Sequence, residues 1–567
     1  MTYAVDVTSL TLTRADGTVV ETLPQRTRID FAQLVDLSEF VTGATIPAGN
    51  YVSATMLLDY ATNPADIEVD DGTGHPLPVA ASNIKDSQGT TVSTMSMTVK
   101  LDNAKRLLIA PGIPALFDLD FNLAASNSVN MTGPVVTVNP VLVADVNPDA
   151  PKPHRIRGPL DSVDTTNSSF TLVLRPFNLL QGDHGRLKFF TDSNTTFEID
   201  QVGYTGNAGL MALAAETPLT ATVAIGTFDL PNRRFLATEV LAGSSVAFGT
   251  DDALVGNVIS RPNATTFVVI GAELVRSTGT LMFRDTVTVT VGGSTKMLKE
   301  GSGLNCAPST PCTTTDISVG QRVAVLGTLT STTIGSTTLD ATGGLVRLLV
   351  TQLNGHSNST PSAGGPVIMT LDRIDGRPIG LFNFAGTGTT GNDANKNAYQ
   401  VATGSLSLGT IANNTPLKAR GFVQPFGAAT ANDDFNAITL IDVTNSPATL
   451  VVGWPSLEPA PFNSFTANSM TVNLTNAGFF HDVFRDGVDI QLATSATPIA
   501  QALTPSSGLF VIGVNGMTQV YTQFSAYQTA LQTDLTTKQA RGFAAWGGTY
   551  TDNTQTLTAT GMATVLH

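Results

Sequence analysis

The stretch QRVAVLGTLTSTTIGSTTLDAT, Gln321 to Thr342, decides how this chain is read. An alternating strand runs into a glycine, then a polar turn, then a second alternating strand. Three more copies occur: TATVAIGTFDLPNRRFLATEV from Thr220, KARGFVQPFGAATANDDFNAITLIDV from Lys418 and KQARGFAAWGGTYTDNTQTLTATGM from Lys538. They lie about 100 to 120 residues apart, too far for one solenoid rung and right for a repeated small domain.

Composition agrees. At 567 residues the chain is long enough for several domains, each with its own core. Charged residues make up only 13%, about half the usual share. Thr and Val favour strands, and scattered Gly, Asn, Asp and Pro favour turns, so the chain reads as all-β. The expected architecture is an N-terminal β-sandwich over residues 1–148 and four small barrels or sandwiches in series, at 152–248, 249–350, 351–447 and 448–567. VNPDAPKPH, from Val146, reads as a stiff linker between the sandwich and the first of these. GPLDSVDTTNSSFTLVL (from Gly158) and GNVISRPNATTFVVIG (from Gly256) look like matching openings; the third and fourth modules open differently. Helical periodicity is confined to QVYTQFSAYQTALQTDL, where Phe524, Tyr527, Leu531 and Leu535 share a face, and to its counterpart NAGLMALAAE. A short helix before the last hairpin would plug one end of a barrel.

Net charge is −15 with no basic stripe, which argues against nucleic acid as a partner. No apolar run approaches the ~20 residues that span a bilayer. Cys306 and Cys312, in NCAPSTPC, can close a small disulfide loop; free thiols and a metal site are the alternatives, and no His or Cys lies close in sequence to complete a metal site. The close cysteine pair and the low Lys+Arg content favour an exported protein whose signal lies outside this numbering.

The first unit resembles the DUF4382 family of bacterial exported proteins and lipoproteins. The residues that carry the resemblance are VTSLTLTRADG from Val7, VDLSEF from Val35, IPAGNYVSATMLLDYA from Ile46 and IEVDDGTGHPLPV from Ile67. The repeats are similar to DUF5666, a small β-barrel domain, with Val319 to Gly327 as the best copy. The resemblance implies export, a cell-envelope or extracellular location and β-rich modules, and it brings no activity. The family usually begins with one strand more than the chain shows before Tyr3. Either the numbering begins downstream of that strand, or a neighbouring molecule supplies it, as in donor-strand assembly.

Candidate chemistry is sparse. His75, His154 and His567 read as solvated residues of a turn, a linker and a terminus. His184 and His356 lie in no ligand spacing. His481 with Asp482 and Asp486 is the densest ionisable cluster, against a plainer reading as a polar turn after the Phe479–Phe480 pair. The Asp-rich segments around Asp66, Glu68, Asp70 and Asp71, Asp145, Asp251 and Asp252, Asp393, and Asp433 and Asp434 offer oxygen ligands for Ca²⁺, but none has EF-hand spacing. Trp454 and Trp546 read as core. Sequons at Asn167, Asn194 and Asn263 are what an Asn/Thr-rich chain produces by chance. With no recognisable nucleophile–base pair or metal constellation, no catalytic residue and no cofactor is assigned. The expectation is a non-catalytic extracellular or surface structural protein that self-associates by strand addition, with envelope or matrix polysaccharide as a further candidate partner. The alternatives are a surface lipoprotein that binds carbohydrate or Ca²⁺, and a secreted hydrolase with an unrecognised site.

Overall fold

A computed structural model describes residues 2–567 except 35–37, 44, 71–75, 102–105, 112–114, 122, 132, 147–152, 177–180, 247–250, 278–280, 302–303, 308, 334–335, 362–364, 407, 431–432, 479–480 and 486–487. Strands carry the fold. Among the described residues, α-helix is limited to Leu123–Ser126, Asn207–Ala215 and Phe524–Asp534.

The first unit is a sandwich. Its long first strand, Tyr3–Arg14, buries Val5 and Val7, then Leu10 and Leu12. The alternation changes phase because the pairing with Gly49–Asp59 slips between Val7 and Ser9, and a one-residue slip turns every later side chain to the other face. Asp16 and Gly17 form the expected turn: Gly17 takes φ +86°, and the Thr18 N–H donates to Asp16 Oδ1 at 2.9 Å. Gly49–Asp59 pairs in turn with Thr94–Lys100. Facing this sheet are the pairs Phe117–Phe121 with Leu142–Val146 and Asn127–Asn130 with Val135–Val138. Phe121, Val136, Val138 and Leu142 share one core with Val5, Leu58, Met97 and Val99.

Four five-stranded barrels follow. Their strands 1 to 5 are His154–Asp164, Ser169–Val173, Arg186–Phe190, Ala221–Asp229 and Arg234–Ala242 in the first. In the second they are Asp252–Asn263, Thr266–Val275, Leu281–Thr290, Arg322–Ser331 and Thr337–Leu349. In the third they are Thr351–Ser357, Val367–Ile374, Tyr399–Ala402, Pro416–Val423 and Phe435–Asp442. The fourth is built the same way, with strands 1, 4 and 5 each broken in two: Ala448–Glu458 and Phe462–Phe465, then Ser469–Val472, Ile499–Ala502, Ala540–Gly548 and Tyr550–Thr551, and Thr556–Ala559 and Gly561–Leu566. In each barrel strand 1 pairs with strands 2 and 4, strand 2 with 3, and strand 4 with 5; strand 3 runs parallel to strand 5 and closes the ring. This is the Greek-key barrel of OB-folds.

The repeated sequence signature is strands 4 and 5, and its glycine has a steric reason. The strand 4–5 pairing slips beside Gly226, Gly327 and Gly421 in the first three barrels. A Cβ there would stand 2.3 Å from the Leu236 carbonyl oxygen, 2.4 Å from that of Asp340 and 2.0 Å from that of Asn436. No side chain fits against backbone at that distance, so the bulge that bends strand 4 around the barrel requires glycine. In the fourth barrel the same close approach falls at Gly548, 1.5 Å from the Thr558 oxygen.

Both longer helices lie between strands 3 and 4 of a barrel, as read from the sequence. Leu210 and Leu213 enter the first barrel's core, and Phe524, Tyr527 and Leu531 the fourth's. Each helix follows a hairpin added to the barrel: Thr196–Ile199 with Val202–Thr205, and Leu509–Val514 with Met517–Tyr521. The second barrel has instead Lys296–Lys299 and a ribbon of Asn305–Ala307 with Thr310–Pro311, across which Cys306 and Cys312 form a disulfide.

The modules follow one another along the chain, yet the last returns to the first. Met517–Tyr521 lies parallel to Thr94–Lys100 and covers that edge of the sandwich. Thr518 Oγ1 lies 3.0 Å from the Thr98 and Leu142 carbonyls, and Val511, Val520, Ala544, Ala563 and Val565 of the fourth barrel belong to the sandwich core. At the far end of the sheet the last strand is Pro76–Pro78, whose prolines cannot donate to an added strand.

Two readings need correction. His154 is not a solvated linker residue; it opens strand 1 of the first barrel, is 2% exposed, and meets the Phe40 and Phe235 rings edge-on. Burial pushes its imidazole down to about 4. The pairing of Ser38–Glu39 with His154 and Arg155 draws it in. His481 does not sit in a polar turn. It starts the strand His481–Arg485, with Nδ1 2.8 Å from the Gly478 carbonyl. His75, Asp71, Asp486, Phe479 and Phe480, and linker residues 147–152, lie outside the described residues.

Gly327→Ala is expected to destabilise the protein by about 1–3 kcal/mol, the usual cost of overpacking. Differential scanning calorimetry should show the lower melting temperature; an unchanged one would mean strand 4 can bend without glycine.

Candidate functional site

The hairpin added to the first barrel turns at Asp200 and Gln201, with φ of +48° and +70°. Two left-handed residues make the two-residue turn that suits antiparallel strands. The turn is held by neighbours: the Gln201 N–H donates to Ser245 Oγ at 2.7 Å, and the Ser244 N–H to Asp200 Oδ1 at 2.8 Å. Across from the hairpin lie Gly301, Leu304 and Asn305 of the second barrel. Between them is a cleft of about 380 Å³, lined also by Thr196, Glu198, Tyr204, Thr205 and Glu239.

A buried cation stands behind it. Arg347, on strand 5 of the second barrel, makes a two-pronged pair with Glu198 of the hairpin, with Nε 3.2 Å from Oε2. A further bond runs from Arg347 Nη2 to the Ser245 carbonyl at 3.0 Å. Both side chains are nearly inaccessible to solvent. This pair fastens the first barrel to the second. Glu239, on strand 5 of the first barrel, makes no hydrogen bond to a described residue. Burial first, and then repulsion from Glu300, hold its carboxyl well above the usual range. Glu300 is also raised, by burial, although it accepts from the Val350 N–H at 2.5 Å. The cleft thus presents a carboxyl pushed up to about 7, beside a carboxylate paired with Arg347.

This group is not legible in the sequence. Glu198 and Arg347 are 149 residues apart and meet only because two barrels dock. The single local hint is FLATEVLA, where Glu239 replaces an apolar or Thr residue in an alternating strand.

The residues singled out in the sequence do not converge on it. The disulfide Cys306–Cys312 adjoins the cleft through Asn305, and both cysteines pack against the second barrel's core. That core also takes Phe422 of the third barrel, with Lys299 Nζ 4.2 Å from the ring centroid. Trp454 is fully buried and donates to the Asn473 carbonyl at 3.3 Å; Trp546 packs against the sandwich core. Asp252 is buried under Arg276, with Oδ1 2.9 Å from Nε. Asp393 accepts from the Gly388 N–H at 3.0 Å. Asp66 and Glu68 lie in a strand, Asp66–Asp70, not in a loop. No group of three His, Cys, Asp or Glu side chains able to hold a metal occurs among the described residues. No helix is long and apolar enough to cross a membrane.

No family model matches the chain, and no curated protein does. The similarity to DUF4382 and DUF5666 therefore rests on the quoted motifs. Among solved structures, one titled "drosophila Unr CSD456" is similar at 10% identity over 51% of this chain and 97% of that one, with a TM-score of 0.11. At that score the likeness carries no argument.

Two outcomes are expected. Arg347→Met leaves Glu198 buried without its cation and should cost about 3–5 kcal/mol, most of it recovered in Glu198→Gln/Arg347→Met. A double variant that melts as low as the single one would mean the pair does not hold the joint. In the third barrel, Asp434 is pushed up to about 6 by burial, with Asp433 adding repulsion. The folded state then binds that proton more tightly than the unfolded one, so its contribution falls as pH rises from about 4 to about 6. Asp434→Asn should raise the melting temperature at pH 7 and leave it unchanged at pH 4; equal shifts at both would contradict this.

Proposed function

We propose that the protein is a non-catalytic extracellular or cell-surface structural protein that associates with copies of itself. The observation that supports this most is how its buried polar groups are used: they join modules. Glu39 of the sandwich, fully buried, takes Arg155 at 2.6 Å and Arg157 at 3.1 Å from the first barrel. Arg347 and Glu198 join the first barrel to the second. Gln321, in the second signature, donates to the Thr351 hydroxyl at 3.0 Å and accepts from the Val423 N–H of the third barrel at 3.1 Å. Asn257 of the second barrel reaches Asp375 and Arg377 of the third, each at 2.7 Å. Such an arrangement favours rigidity over an open catalytic cleft. The disulfide fits an oxidising compartment.

Strand addition has a ready form here. Met517–Tyr521 of one copy can lie on the Thr94–Lys100 edge of the next, replacing the pairing made within one chain. The test places cysteines at the paired positions Met517 and Thr98 of the full chain and oxidises the purified variant at several concentrations. Disulfide-linked oligomers, with filaments in electron micrographs, are expected. A dispersed monomer linked only within itself would contradict self-association.

A further inference from the structure

We infer that the cleft between the hairpin Thr196–Thr205 and Gly301, Leu304 and Asn305 binds a neutral saccharide, with Tyr204 and Glu239 as its principal contacts. The scaffold reading stands or falls without it. The site belongs to the added hairpin and to the docking of two barrels, not to the face of either barrel.

Size comes first. About 380 Å³ lies toward the lower end of ligand clefts, which run to about 300–1,000 Å³, and suits one or two sugar rings. Chemistry narrows the class. The walls offer hydroxyls from Thr196 and Thr205, amides from Gln201 and Asn305, one carboxyl from Glu239 and one phenol ring from Tyr204. Among the described residues that line the cleft there is no Lys or Arg, and the guanidinium of Arg347 behind it is bound to Glu198 and Ser245, so a phosphate or sulfate would find no cation on the described walls. A calcium ion would need several converging oxygens, and the described side chains form no such group. A polyhydroxylated neutral ligand meets neither obstacle. Its hydroxyls can donate to and accept from amide and carboxyl groups, and its apolar ring face can lie on an aromatic ring.

Two further features fit. Glu239 makes no hydrogen bond to a described residue, so its carboxyl oxygens are open to a ligand; burial and Glu300 push the group up to about 7, so a protonated form that donates as well as accepts is accessible near neutral pH. The turn that carries Gln201 is fixed by Ser244 and Ser245 before any ligand arrives, which lowers the ordering cost of binding. Val202 and Leu304, 48% and 51% exposed, add apolar surface at the rim.

The test uses the full chain and neutral tetrasaccharides of glucose, xylose, mannose and N-acetylglucosamine, followed by saturation-transfer NMR and calorimetric titration. At least one should bind with Kd below about 1 mM. Tyr204→Ala should weaken it by more than about tenfold, whereas Tyr204→Phe keeps the ring and should bind nearly as well. Glu239→Gln, which keeps a neutral donor and acceptor, should bind like the parent, and Glu239→Ala should not. Thr205 is exposed, so Thr205→Arg should fold normally and block the cleft. No binding by any of the four sugars, or binding that Thr205→Arg and Tyr204→Ala leave intact, would overturn the proposal. Loss of self-association would not bear on it, because binding is read on monomer and oligomer alike.

Discussion

Everything in the barrels depends on one close approach: a carbonyl oxygen of strand 5 held against the backbone of strand 4 where a side chain would otherwise stand. At Gly327 that oxygen is Asp340's, 2.4 Å from the site of an absent Cβ. The bulge lets strand 4 pair with strand 1 along its first half and curl over strand 5 along its second. Without that bend strand 5 could not reach strand 3, and the sheet would stay open with two bare edges. Strand 1 repeats the device at Gly256 and Gly355, each with a cross-strand carbonyl 2.1–2.5 Å from the missing Cβ. A short polar sequence with few charges thereby forms small closed cores, each filled by Val, Leu and Phe from alternate positions.

Closed barrels expose no long edge, so they must be joined by other means. Buried polar pairs serve between the sandwich and the first three barrels, and a shared sheet and core serve between the last barrel and the sandwich. A buried ion pair contributes little net stability over an apolar contact of the same shape, but it penalises every arrangement in which one partner is left alone. In a chain of look-alike modules that selectivity fixes which barrel meets which.

Much of this was legible in the sequence, and for definite reasons. The signature glycine is demanded by backbone contact, so it survives where other positions drift; Val319 to Gly327 and Lys418 to Val423 still align by eye. Helices were legible from Phe524, Tyr527 and Leu531 because an amphipathic face is a local property. The third and fourth openings were not. In the third barrel a long connection, residues 358–366, separates strands 1 and 2, and in the fourth strand 1 breaks near Pro461. His154 was misread because its burial comes from Ser38–Glu39, a segment more than a hundred residues away. The cleft was illegible for the same reason: Glu198, Glu239 and Arg347 are ordinary strand charges, and Glu300 an ordinary turn charge, until two barrels dock. The return of the last barrel to the first left no local trace either, since Met517–Tyr521 looks like any half-buried hairpin strand.

That return is the centre of the account, because it turns a row of modules into one body and defines the edge available to a second copy. Amide hydrogen exchange measures it directly. Backbone amides of 94–100 and 517–521 should be protected to the same degree in the full chain, and Thr518→Pro, which removes a donor from the joint, should release both segments together. Rapid exchange in either segment of the unmodified protein, or release of one without the other, would contradict it.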